Sequence, residues 1–85
     1  MFTKQEIHPR VEHVEPLKGY RLRVRFADGT EGIVTLEDRL FGPIFEPLRD
    51  WELFRQVTVD EFGAPCWPNG ADLAPDALYE RLRKE

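Results

Sequence analysis

Hydrophobic positions alternate most strictly in residues 20–26, YRLRVRF, where Tyr20, Leu22, Val24 and Phe26 share one face and Arg21, Arg23 and Arg25 the other. A period of two marks a half-buried β-strand, with the apolar side chains turned to the core and the guanidiniums to water. ADGT follows at once. An Asp-Gly pair between two alternating runs is a strong hairpin signal, because Gly29 accepts a positive φ without steric cost, and residues 31–36 return as the next strand. Upstream, residues 7–17 (IHPRVEHVEPL) mix Val11 and Val14 with charges and two prolines, which suits an edge strand of irregular alternation. The N-terminal half is therefore expected to be an antiparallel meander, with Gly19 marking the tight link between its first two strands.

Residues 37–47 break the pattern. Gly42, Pro43 and Pro47 forbid a long helix, and one short turn over 37–40 is all that the spacing allows. In the next segment Asp50 can cap a short helix that places Trp51 and Phe54 on one inward face. Residues 58–60 and 64–67, joined around Gly63, form a second short hairpin that extends the first sheet. The tail carries the best helix of the chain. Pro75 suits the first helical position, Asp76 complements the positive end of the dipole, and Arg81, Arg83 and Lys84 lie near the negative end. Leu73 and Leu78 have the spacing of a hydrophobic staple, and Leu78 and Leu82 make an apolar stripe. Together the elements predict one α+β domain over residues 1–85: a small antiparallel sheet of about four to five strands, a short middle helix and a C-terminal helix.

Composition narrows the functional classes. At 85 residues, with 41% hydrophobic and 33% charged positions, the chain can fold but buries only a modest core. Sixteen acidic against twelve basic residues give a net charge of −4, which argues against nucleic acid as a partner. There is no apolar run of membrane-spanning length and no signal-peptide pattern in the N-terminal residues, so the expected location is the cytoplasm, away from the membrane. A single cysteine excludes an intramolecular disulfide.

Candidate chemistry is sparse. Cys66 would need a base to act as a nucleophile, with His8, His13 or Asp72 as the choices, and a cysteine between Pro65 and Trp67 is more simply a small apolar filler. One cysteine and an isolated pair of histidines match no metal-ligand spacing, so neither metal nor cofactor is expected. The carboxylate pairs Asp60/Glu61 and Asp72/Asp76 sit where turns and helix starts call for acids. Arg21, Arg23 and Arg25 remain as a row that can grip an acidic partner surface, against the simpler reading of a solvated face paired with Glu12, Glu15 or Glu31. In CWPNGADLAP, Trp67 ends a strand in the core, Pro68 stops pairing, Asn69-Gly70 turns the chain and Asp72 is placed to accept amides near the start of the last helix.

These residues carry a resemblance. YRLRVRFADGTEGIVTLEDRL, followed by FEPLRDWELFRQVTVDEFGAPCWPNGADLAPDALYERL, is similar to the bacterial family called domain of unknown function 2442. The most specific element is the closing pattern of Trp67, Asn69, Gly70, Asp72, Leu73 and Pro75, with Leu78 and Tyr79 after it. The resemblance implies a small α+β domain and carries over no catalytic residue. Family members are found alone or followed by a helix-turn-helix segment; none is read here, which argues further against direct DNA binding. They are often encoded beside another small protein, as in toxin–antitoxin pairs. Ala74 departs from the pattern, where relatives tend to have a capping Ser. The expectation is thus a non-enzymatic protein-interaction module, antitoxin-like or regulatory, whose partner is another small protein, with a homodimer as the other arrangement. Its alternatives are a nucleic-acid-associated regulator using the arginine row and a small cysteine-dependent enzyme.

Overall fold

The computed structural model describes residues 9–84. The expectations placed on Ile7 and His8 lie outside the described residues, as does the Lys84 side chain. Strands β1 (Val11–Leu17), β2 (Arg21–Phe26) and β3 (Glu31–Thr35) form an antiparallel sheet in the order β1-β2-β3, as the meander predicts. Its irregular first strand has a definite cause. Val11 lies opposite Phe26 and His13 opposite Arg25, so Glu12 is an extra residue bulged out of β1. The bulge turns both Val11 and Val14 inward although they are three apart, against the rule of alternation.

Three turns share one design. In residues 26–30, 60–64 and 67–71 the first amide donates to the fifth carbonyl, at 2.7, 2.9 and 2.9 Å, and the fourth amide donates back to the first carbonyl, at 2.9, 3.0 and 3.0 Å. The fourth residue is Gly29, Gly63 or Gly70, with φ of 92°, 80° and 95°. A left-handed residue at this position closes a short loop in a sense that matches the strand twist, which is why glycine recurs there. Each turn is also tied by a side chain: Asp28 Oδ1 accepts from Thr30 N, Asp60 Oδ1 from Phe62 N and Ala64 N, and Asn69 Oδ1 from Ala71 N. The link from β1 to β2 is different. Tyr20 takes φ 57°, a conformation that costs a non-glycine residue about 1–3 kcal/mol. Its ring meets Phe54 edge-on at 5.5 Å, its hydroxyl donates to the Arg49 carbonyl, and its own carbonyl accepts from Leu36 N at 2.9 Å.

The inner face of the sheet presents Leu22, Val24, Phe26 and Val34, all at most 1% exposed. Against it pack Leu36, Leu40, Leu48, Phe54, Val57, Trp67, Ala71 and Leu78. Each large side chain buried here stabilises the fold by about 1.5–3 kcal/mol. The connection after β3 holds two 3-10 turns, Glu37–Arg39, as expected, and Glu46–Arg49, which begins at a proline-bearing corner. Helix α1 (Trp51–Phe54) is a single turn, capped by Asp50 Oδ1 accepting from Glu52 N at 3.1 Å.

Five strands are present, within the four to five expected, but the expectation that the second hairpin extends the first sheet is corrected: the strands are divided between two sheets. Strands β4 (Thr58–Val59) and β5 (Pro65–Cys66) form a separate ribbon beside β1, joined to it by Val11 N donating to the Gly63 carbonyl at 2.9 Å. The bulge at Glu12 and the missing N–H of Pro16 deprive the outer edge of β1 of the regular donors that a fourth strand needs. Helix α2 (Pro75–Lys84) then crosses the inner face at β3. Gly32 permits the close approach: a Cβ there would stand 2.7 Å from Leu82 Cδ2.

Candidate functional site

The turn after Trp67 is built almost entirely for structure. Trp67 is 4% exposed, stacks near Phe54 with ring centroids 5.8 Å apart and donates its indole N–H to the Phe54 carbonyl at 2.9 Å. Asn69 holds its own turn and donates Nδ2 to the Ile44 carbonyl at 2.9 Å, fastening the turn to the connection. Pro75 opens α2, as expected. The capping role expected of Asp72 is corrected: its exposed carboxylate accepts no hydrogen bond among the described residues. Asp72 is held back by a bridge to Cys66, and Leu73 N donates to the Pro65 carbonyl at 2.9 Å, so the position before Pro75 belongs to Ala74. Tyr79 supplies a tie that the sequence did not announce. Its ring meets Phe26 edge-on at 5.0 Å and its hydroxyl donates to Asp28 Oδ2 at 2.6 Å. That bond, together with the Thr30 amide and hydroxyl, holds the Asp28 carboxyl below the usual carboxylate range.

Arg21, Arg23 and Arg25 lie in line on the outer face of β2, exposed to solvent. The register puts Arg23 opposite Glu15 and Ile33, and Arg25 opposite His13 and Glu31. Arg23 Nε stands 3.4 Å from Glu15 Oε1, and Arg21 Nε donates to the Lys18 carbonyl at 2.9 Å. The row is thus framed by carboxylates on both neighbouring strands, which reduces its pull on a polyanion.

Cys66 is half-buried, and its thiol lies 3.6 Å from Thr58 Oγ1. Among the described residues no imidazole is hydrogen-bonded to it; His13 sits on the outer sheet face across from Arg25. Asp72 is its backbone neighbour through the bridge, without a carboxylate contact to the thiol. Asp60 is committed to its turn and Asp76 to the first turn of α2. No group of three metal-ligating side chains comes together among the described residues. No helix there is long and apolar enough to cross a membrane.

Of the exposed large apolar side chains, Phe62 and Ile33 stand singly, whereas two others fall close together in residues 41–45. Phe41 is 69% exposed and Ile44 43% exposed, while Leu40 and Leu48 on either side are buried. Beside them an open hollow of about 350 Å³ is lined by Asp38, Arg39, Phe41, Phe45 and Leu73. A second hollow, of about 210 Å³, adjoins it and reaches between the connection and α2 to Leu36, Leu78 and Arg81. Arg81 is anchored, donating to the Thr35 carbonyl at 2.8 Å and lying 3.9 Å from Asp38. Arg39 is exposed and has no ion pair among the described residues. The sequence marked this segment only as a break in the pattern, where Gly42, Pro43 and Pro47 forbid a long helix. Its signal was the density of the run LFGPIF, more apolar residues than a short connection can bury.

The family described as "protein of unknown function (DUF2442)" matches residues 11–84, nearly the whole chain. No curated protein and no solved structure matches it.

Proposed function

We propose that this chain, which belongs to the DUF2442 family of proteins of unknown function, is a protein-interaction module that acts by docking another small polypeptide rather than by catalysis. The observation that carries the reading is the exposed apolar segment with Phe41 and Ile44 outermost, set beside a hollow whose floor is Phe45 and Leu73. A small domain with a modest core gains nothing in folding stability by leaving a phenylalanine 69% exposed. Large exposed apolar side chains grouped beside a concavity are the usual mark of a docking surface. A role as the antitoxin-like or regulatory member of a two-protein pair is the finer form of the same reading, in line with the gene arrangement that the resemblance implies.

The test is capture of the tagged protein at low salt from lysate of the cells that encode it, followed by native mass spectrometry, with wild type beside Phe41→Ser. A stoichiometric polypeptide held by wild type and released by the variant is the expected result. An isolated chain that turns over a substrate, with no polypeptide bound to wild type, would sink the proposal.

A further inference from the structure

We infer that the polypeptide docked on residues 41–45 is a second copy of this chain, related by a two-fold axis that passes beside Phe41. The inference rests on the docking reading above and names the occupant of this surface as a second copy, which leaves the different protein of a two-protein pair to bind elsewhere.

Shape supports it first. Phe41 projects from the surface and also walls the hollow next to it, so a knob and a hole lie side by side on one face. Were they on opposite sides of the molecule, knob-into-hole contact would propagate into open chains. Side by side, they close after two copies, each Phe41 entering the other's hollow against Phe45 and Leu73. Both rings then leave water together, and a phenylalanine is among the side chains that bury the most area.

Charge gives the second argument. The rim of the hollow carries Asp38 and Arg39, adjacent in the chain and opposite in sign. Arg39 has no ion pair among the described residues, and the Asp38 side chain is 79% exposed with only a long contact to Arg81. An acidic partner would answer Arg39 and repel Asp38; a basic one would do the reverse. A two-fold mate offers the same pair in reversed order, so Arg39 meets Asp38 of the second copy and Asp38 meets its Arg39. Self-complementarity of this kind is what an isologous interface requires.

Sedimentation equilibrium on the full chain, over a concentration series reaching the millimolar range, tests the inference. Wild type should dimerise, and Phe41→Ser should shift the midpoint to at least tenfold higher concentration, while its far-UV circular dichroism stays unchanged and its melting temperature matches wild type at concentrations low enough for both to be monomeric. Arg39→Asp places two acids on each rim and Asp38→Arg two bases, so each alone should weaken dimerisation by about tenfold through two symmetry-related repulsions. Mixed one to one, these two variants should recover a heterodimer as tight as wild type. A wild type that stays monomeric throughout, or a dimer indifferent to Phe41→Ser and to the charge variants, would overturn the inference. Monomeric wild type that still captures a foreign polypeptide, lost in Phe41→Ser, would overturn the two-fold partner and leave the docking module standing. Loss of neither would remove both.

Discussion

Replacing Trp67 with phenylalanine should cost this domain much of its stability, and the structure says why. The indole N–H is the donor that reaches the Phe54 carbonyl, at the end of the single-turn helix α1, where no backbone amide among the described residues takes its place. Phenylalanine keeps an aromatic ring beside Phe54 but removes that donor, and a buried acceptor left without a partner costs about 1–3 kcal/mol. The smaller ring also opens space in a site that is 4% exposed, adding about 1 kcal/mol for the part the surroundings do not fill. The expected loss is therefore about 2–4 kcal/mol, a large fraction of what a domain of this size holds. It should lower the melting temperature by roughly 10–20 °C. Trp51→Phe is the matched control. Trp51 lies 5.9 Å from the same Phe54 ring, is half-buried and makes no indole hydrogen bond among the described residues, so its replacement should cost about 1 kcal/mol or less. Urea unfolding followed by circular dichroism gives both values, and each variant retains one tryptophan as a fluorescent check. If Trp67→Phe proves no more costly than Trp51→Phe, the indole bond does not hold α1 to the closing turn and the reasoning fails.

Ala74→Ser should stabilise the domain by about 1 kcal/mol, because the serine hydroxyl supplies the cap that the start of α2 lacks; an unchanged urea midpoint would refute this. Asp28 titrates below its unfolded value, so its contribution is present above about pH 4 and is lost as pH falls through the folded value. Tyr79→Phe removes the largest cause of that lowering and should flatten this part of the acid limb, read as a smaller drop in urea midpoint between pH 5 and pH 3 than wild type shows. Gly63→Ala should be severe, by about 2 kcal/mol or more, since the new Cβ would stand 2.8 Å from Arg10 Cβ and 3.0 Å from its Cα at a φ of 80°. A mild effect, measured by thermal melting, would show that β1 and the loop over 60–64 separate readily.

What was legible in the chain was local. Strict alternation in β2 and the Asp-Gly turn needed no distant partner to be recognised, and the structure keeps both. The bulge at Glu12 was visible only as a fault in the spacing of Val11 and Val14, because which residue is extruded depends on the register with β2. Asp72 and Asn69 are both short polar side chains near a helix start, and the choice between them follows from the bridge between Cys66 and Asp72, a tertiary fact. The candidate surface was the least readable part. In LFGPIF no period tells which apolar residues turn inward, and Leu40 is buried while Phe41 is not. Arg21, Arg23 and Arg25 stood out in the sequence because they alternate, whereas their carboxylate frame needed both neighbouring strands to be seen.

The three repeated turns also set the order in which the molecule can assemble. Each joins segments only a few residues apart, so the search that closes it is short, and isolated hairpins of this kind form in about 1–10 μs. The contacts that seat α2 are of another class, since Tyr79 must find Asp28 and Arg81 must find Thr35 across separations of 51 and 46 residues. Loop closure of that length delays them until the sheet offers a surface to land on. By the same asymmetry, α2 should lift away from the native sheet at lower free energy than the central strand β2. Its amides should exchange with deuterium ahead of those in β2, whose two ladders are closed on both sides.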